Sequence, residues 1–228
     1  MSDTELRIAR FHFPVTALGP GRRFGVWVQG CGLACPGCMS RDTWDRLGGR
    51  AVRVARLAAL WRRAVAEGAD GLTISGGEPL DQADAVTALL RRVRTDSTRD
   101  VLVYTGYDMS QARTRGDGVL ALADAVITGR YEITQPTRLI WRGSANQRLT
   151  PLTELGRKRY GPYAGHEPGE PPLQIGFDSA GLWLIGVPRT GDLRRVEHRL
   201  RDRGIELSGV SWRAAHARRP AGEESSDG

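Results

Sequence analysis

The chain has 228 residues, 40% of them hydrophobic, which suits one domain with a sizeable core and excludes wholesale disorder. No run of about 18 apolar residues occurs and the charged N-terminal stretch holds no signal core, so no membrane span is expected and the cytoplasm is the expected location. The net charge of +7 is almost wholly arginine, scattered along the chain beside one lysine, Lys158; it reads as a solvated basic surface, and no nucleic-acid partner is expected.

The first strand is predicted over 24–29, where Val26, Trp27 and Val28 form a short apolar run that leads into Gly30. A helix follows over 52–67, with Val54, Leu57, Ala58, Trp61, Ala64 and Val65 on one face. A strand over 72–75 runs into Gly76-Gly77-Glu78-Pro79, and a helix over 81–94 buries Ala85, Val86, Leu89, Leu90 and Val93. A strand over 101–104 ends at Thr105-Gly106-Tyr107, a short helix spans 119–122, and a strand over 125–128 ends at Gly129-Arg130-Tyr131. Strands that alternate with helices imply an α/β fold with a parallel sheet, whose functional loops collect at the carboxyl ends of the strands.

Beyond residue 150 the character changes. The segment 156–172 is rich in Gly, Pro and charge and reads as a linker or long loop. A strand pair is expected over 173–177 and 182–187, turning near Ser179-Ala180-Gly181. A helix capped by Thr190 or Asp192 then runs to Arg203, and a last strand covers 206–212. The resulting division is a core over 1–150, a small α+β extension over 151–215, and a disordered tail over 216–228.

All three cysteines lie in one stretch, Cys31-Gly32-Leu33-Ala34-Cys35-Pro36-Gly37-Cys38, with C-x3-C-x2-C spacing. An odd number of thiols argues against a disulfide framework and for ligands. Three thiolates on one loop can wrap three corners of a [4Fe–4S] cube and leave the fourth iron open to a substrate. A zinc site would need another ligand, and His12, His166, His198 and His216 show no ligand spacing; a two-thiol redox site would leave one cysteine unexplained.

This spacing resembles the cluster motif of the radical S-adenosylmethionine enzymes, and Gly76-Gly77-Glu78 resembles their methionine-binding motif one β/α unit later. The resemblance implies a partial (β/α) barrel, with S-adenosylmethionine bound at the cluster and its amino group held by the backbone of Gly76, Gly77 and Glu78. Further stretches, including Gly19-Pro20-Gly21, Trp27-Val28-Gln29-Gly30-Cys31, Thr43-Trp44, Gly129-Arg130-Tyr131 and Trp141-Arg142-Gly143-Ser144-Ala145-Asn146-Gln147-Arg148, are similar to the activating proteins of anaerobic ribonucleotide reductase. That similarity covers residues 8–150 and implies an activase that installs a glycyl radical on a partner enzyme, with flavodoxin or ferredoxin as electron donor. Two features depart from the pattern: Met39 replaces an aromatic residue, and the chain continues well past the Arg142 motif.

Cys31, Cys35 and Cys38 are thus the candidate ligands and carry the chemistry, and Thr105 is a candidate cofactor contact or turn residue. Trp44 and Tyr107 either line the adenine or partner groove or pack. Arg142 and Asn146 either fix the cofactor carboxylate or partner loop, or make structural hydrogen bonds. His12 has no partner visible in the sequence. Two other readings stand beside the activase: a radical enzyme acting on a small molecule or peptide, and a non-enzymatic Fe–S electron carrier.

Overall fold

The computed structural model describes residues 4–178 and 181–210. Its centre is a seven-stranded sheet of β1 (Glu5–Val15), β2 (Arg23–Val28), β3 (Arg50–Arg53), β4 (Gly71–Gly76), β5 (Asp100–Tyr104), β6 (Ala125–Thr128) and β7 (Arg148–Pro151), in the order β3-β1-β2-β4-β5-β6-β7. Strands β2, β4, β5 and β6 pair in parallel, while β1, β3 and β7 join antiparallel at the two sides. The crossovers are α1 (Val54–Ala66), α2 (Ala83–Asp96) and α3 (Met109–Leu120). After β6 the chain makes no fourth crossover but turns back as β7. The result is a mixed α/β sheet.

Alternation along the strands sorts side chains between two faces. Phe24, Val26, Val28, Leu72, Ile74, Val101, Val103 and Val126 meet the apolar stripes of the helices, among them Leu57, Trp61, Val86 and Leu90. Each such fully buried side chain stabilises the fold by about 1.5–3 kcal/mol. The other, inner face carries Arg23, Trp27, Leu102, Tyr104, Ala125 and Ile127. Residues beyond 150 cover it. Tyr160, from α4 (Glu154–Tyr160), packs with Trp141, Leu102 and Ile127. Ile185 and Trp183, from the hairpin of β8 (Leu173–Asp178) and β9 (Gly181–Gly186), pack with Val15, Leu18 and Trp27.

At the amino ends of the parallel strands the inner face is polar. Register places Arg23, Gly71 and Asp100 side by side. The Arg23 guanidinium is fully buried; it donates to Asp100 Oδ1 at 2.8 Å, to the Leu72 carbonyl at 2.7 Å and to Thr73 Oγ1 at 2.6 Å. Tyr160 donates its hydroxyl to the same Asp100, and Arg159 adds an ion pair at 3.0 Å.

Several expectations need correction. A strand precedes the expected first one: β1, whose alternation of Leu6 and Ile8 is lost at Phe11-His12-Phe13-Pro14. The expected short helix at 119–122 is the end of the longer α3, which starts at a capping box between Asp108 and Gln111 and kinks at Gly116. The expected loop at 156–172 opens with α4, where Thr153 caps the helix by accepting from Gly156 N at 2.9 Å. The expected strand over 206–212 is absent in its described part, 206–210; the remainder and the 216–228 tail lie outside the described residues. The hairpin stands close to its expected place, and the last helix is α5 (Asp192–Arg201).

Candidate functional site

The three cysteines sit on the loop that follows β2, at the carboxyl end of the first parallel strand. Two backbone bonds anchor the loop at its start, Gly30 N to the Thr43 carbonyl at 2.8 Å and Cys31 N to the Trp44 carbonyl at 3.1 Å. Gln29 reinforces them by donating to the Asp45 carbonyl at 2.7 Å. A tight turn joins the other two thiols, with Cys38 N donating to the Cys35 carbonyl at 3.1 Å.

Donors point at the sulfurs. The backbone N–H groups of Leu33 and Ala34 face Cys31, and the Ser40 N–H and the Trp44 side chain face Cys38. Burial pushes both thiols up, and these donors oppose it by favouring the thiolate. Cys35, itself buried, acts electrostatically on both of its neighbours. Among the described residues no three Cys, His, Asp or Glu side chains converge to hold a single metal ion. A cluster makes a different demand, because each thiolate takes its own iron at a separate corner, and hydrogen bonds to the sulfurs tune its potential. Three thiols on one loop with N–H donors aimed at two of them fit that demand.

The Gly76-Gly77-Glu78 turn is knitted to this loop. Gly77 N donates to the Val28 carbonyl at 2.8 Å and Glu78 N to the Gly30 carbonyl at 2.9 Å. The approach leaves no room for side chains. A Cβ on Gly76 would lie 2.5 Å from Val28 N, one on Gly77 would lie 2.3 Å from the Gly30 oxygen, and Gly76 also has φ +106°.

Glu78 is 1% exposed, and both its oxygens are occupied. Oε1 accepts from Leu80 N at 2.9 Å and from the Thr105 hydroxyl at 2.8 Å, and Oε2 accepts from Gly106 N at 2.8 Å. Burial raises this carboxyl to about 7 against the pull of the three donors. Thr105 Oγ1 also accepts from Tyr107 N at 3.1 Å, so its hydroxyl is fully engaged within the fold. Tyr107 is mostly buried, donates to Asp81 Oδ1 at 2.7 Å and lies under the Arg115 guanidinium.

The remaining candidates divide. Trp44 accepts from Cys31 N at 3.1 Å through its backbone carbonyl, and its side chain lies beside Cys38, where it favours the thiolate. Asn146 donates to the Arg130 carbonyl at 2.8 Å, a structural bond within its own loop. Arg142 is 6% exposed and donates from Nη2 to the Tyr163 carbonyl at 3.0 Å and from Nε to the Ile140 carbonyl at 3.3 Å. His12 stacks on Trp183 at a centroid distance of 4.5 Å, far from the cysteines in the topology.

Sequence reasoning assigned no role to a group that covers the cysteine loop from the β6 side. The Arg130 guanidinium donates to the Leu33 carbonyl, and Tyr131 and Ile133 pack against Gly37. Their signal was Gly129-Arg130-Tyr131 at a strand end. Leu33 packs in turn against Gly106, so the loops after β2, β4, β5 and β6 form one contiguous assembly. A separate groove of about 510 Å³ lies beside the carboxyl end of β6, lined by Met109, Arg113, Thr128 and Arg148 and by none of the cysteines.

Residues 17–150 match the family model described as a 4Fe-4S single cluster domain. The chain is 32% identical over 139 residues to the anaerobic ribonucleoside-triphosphate reductase-activating protein of Enterobacteria phage T4, covering 60% of this chain and 88% of that one. It is 30% identical to the proteins of the same name from Salmonella typhimurium, over 152 residues and 96% of that protein, and from Escherichia coli, over 146 residues and 93%, each match covering 60% of this chain. The chain belongs to the family of anaerobic ribonucleoside-triphosphate reductase-activating proteins, with a 4Fe-4S single cluster domain over residues 17–150.

Proposed function

We propose that the chain is a radical S-adenosylmethionine enzyme that activates an anaerobic ribonucleotide reductase by installing a glycyl radical. One observation carries the reading: the only three cysteines stand on a single loop whose base is hydrogen-bonded to the Gly76-Gly77-Glu78 turn, in a chain of this family. In this reading the sheet is a partial barrel, residues 1–150 are the catalytic core, and Cys31, Cys35 and Cys38 hold the [4Fe–4S] cluster. When bound, the cluster supplies one electron for cleavage of S-adenosylmethionine to methionine and a 5′-deoxyadenosyl radical, which takes a hydrogen atom from a glycine of the partner.

The chain's own residues bind, orient and shield. The Leu33, Ala34, Ser40 and Trp44 donors stabilise the thiolates. Gly76 and Gly77 present bare backbone to an ammonium group, and Glu78, through Thr105 and Gly106, fixes the position of that backbone. Arg130, Tyr131 and Ile133 limit the access of water to the loop. Flavodoxin or ferredoxin would serve as the electron donor.

The test is anaerobic reconstitution with iron and sulfide, reduction with dithionite, and measurement of 5′-deoxyadenosine, with Cys35→Ala as control. Product that vanishes in the variant supports the reading; a reducible cluster that neither binds S-adenosylmethionine nor yields product leaves an Fe–S carrier. A glycyl-radical signal on an added anaerobic reductase then separates an activase from an enzyme acting on a small molecule or peptide. That second reading draws on the segment beyond 150, which packs on the inner face.

A further inference from the structure

The helix layer of the sheet stops short of its last strand. α3 is the final crossover, and the chain turns back from β6 as β7 with no crossover helix to follow. Ile127 and Leu149 pair on the inner face, so Thr128 and Arg148, one step along, stand on the opposite, helix-bearing face. The groove of about 510 Å³ opens there, between the start of α3 and β7. That volume lies in the range of small-molecule sites and far exceeds an inorganic ion.

One part of its wall holds donors that the fold leaves unused. Arg113 comes from α3 and Arg148 from β7, and among the described residues neither guanidinium makes a hydrogen bond or an ion pair. Thr128, the register partner of Arg148, is 3% exposed and lines the same groove. Its hydroxyl has no hydrogen-bond partner among the described residues. A hydroxyl withdrawn from water and left unpaired is a cost that a bound acceptor removes. Two guanidinium edges and a hydroxyl match the oxygens of a phosphate.

The rest of the wall asks for more than an anion. Asp108 accepts from Gln111 N at 2.8 Å through Oδ1 and keeps Oδ2 for a hydroxyl. In sheets of this class a carboxylate near a strand end takes the hydroxyls of a ribose. Met109 and Leu152, both packed in part on the core, add apolar surface suited to the flat face of a base. Place agrees with composition: the groove sits at the carboxyl end of β6, where the sheet changes from parallel to antiparallel pairing. Ligands of open α/β sheets bind outside the carboxyl ends of strands where the topology switches.

We propose that the groove between α3 and β7 binds a nucleoside phosphate, with Arg113, Arg148 and Thr128 on the phosphate and Asp108 on the ribose. The site contains no cysteine and does not depend on the function proposed above. It does adjoin the cysteine loop. Asn146, which borders the groove, donates to the Arg130 carbonyl at 2.8 Å, and the Arg130 guanidinium reaches Leu33.

The test is calorimetric binding to the full chain of ADP, GDP, CDP and UDP, with pyrophosphate and the four nucleosides alongside. At least one diphosphate is expected to bind with a dissociation constant below about 1 mM, and at least about tenfold tighter than pyrophosphate or its own nucleoside. Arg113→Gln and Arg148→Gln are each expected to weaken it about tenfold, the scale of a charge-assisted hydrogen bond. Thr128→Val, which gives up no hydrogen bond within the fold, is expected to weaken it about fivefold without lowering the melting temperature. Arg92→Gln, on the exposed side of α2, is expected to change nothing. Pyrophosphate that binds as tightly as the diphosphates would mark a bare anion site, and an equal effect of Arg92→Gln a general attraction to a basic surface. Either result, or no binding at all, overturns the proposal. So does displacement of the diphosphate by S-adenosylmethionine on the reconstituted protein, which would make the groove part of that cofactor's site.

Discussion

The Thr105 hydroxyl donates to the Glu78 carboxylate at 2.8 Å and ties the loop after β5 to the turn after β4. The carboxylate spends its acceptor capacity on holding loops, so its contribution to the site is one of position.

This buried carboxyl makes stability depend on pH. Its value rises from 4.5 to about 7 on folding, chiefly through burial. The native protein keeps a proton that the unfolded chain releases, so this contribution is fully present below about 4.5 and is lost as pH rises through 7. Denaturant unfolding of the cluster-free protein at pH 5 and pH 8 is expected to show a steeper loss for wild type than for Glu78→Gln, at about 1.4 kcal/mol per pKa unit. Parallel pH dependence in the two proteins would remove the assignment.

Trp44 is expected to tune the cluster. A donor beside a ligand sulfur favours the more negative, reduced state, so removing the Trp44 indole N–H from the neighbourhood of Cys38 lowers the potential. In Trp44→Phe a redox titration of the reconstituted protein is expected to give a more negative midpoint with unchanged iron content. An unshifted midpoint refutes the role.

The buried cluster at the amino ends of the strands supports a stability prediction. Asp100→Ala leaves the fully buried Arg23 without its counter-charge and strands the Tyr160 hydroxyl. The expected loss is about 3–5 kcal/mol, measured by urea unfolding. A loss below about 1 kcal/mol, the scale of an exposed pair, would show that the pair is not buried in solution.

The hairpin is held on by few side chains. Gln174 donates to the Pro14 carbonyl at 2.8 Å, Trp183 stacks on His12, and Ile185 fills the pocket between Val15 and Trp27. Trp183→Ala is expected to raise cleavage by trypsin at Arg189 and in α5 without changing the cluster content. An unaltered digestion pattern would mean that the other contacts suffice.

Much of this molecule was legible in its sequence where one residue type answers one physical demand. The apolar stripes of α1 and α2 and the strand Ala125–Thr128 follow from periodicity, and the cysteine loop from spacing. What escaped depends on partners distant in sequence. β1 hides its alternation behind Phe11 to Pro14, and α4 is short and charged except where Tyr160 finds Asp100, sixty positions earlier. Arg130 and Tyr131 cover the cysteine loop only because β6 lies three strands from β2 in the sheet, with β4 and β5 between them. The motif Gly76-Gly77-Glu78 was visible as letters, yet only the fold shows Glu78 turned inward to Thr105 and Gly106.

The fit of Gly76 and Gly77 against the backbone of Val28 and Gly30 has a consequence for reading mutational tolerance. A saturation scan would score both positions as intolerant even if no ligand ever touched them, since any side chain would wedge β2 from β4. Their intolerance would thus report on assembly of the loop. Iron incorporated per chain separates the two causes: a wedged loop fails to load metal, whereas a lost ligand contact leaves a loaded protein that is silent.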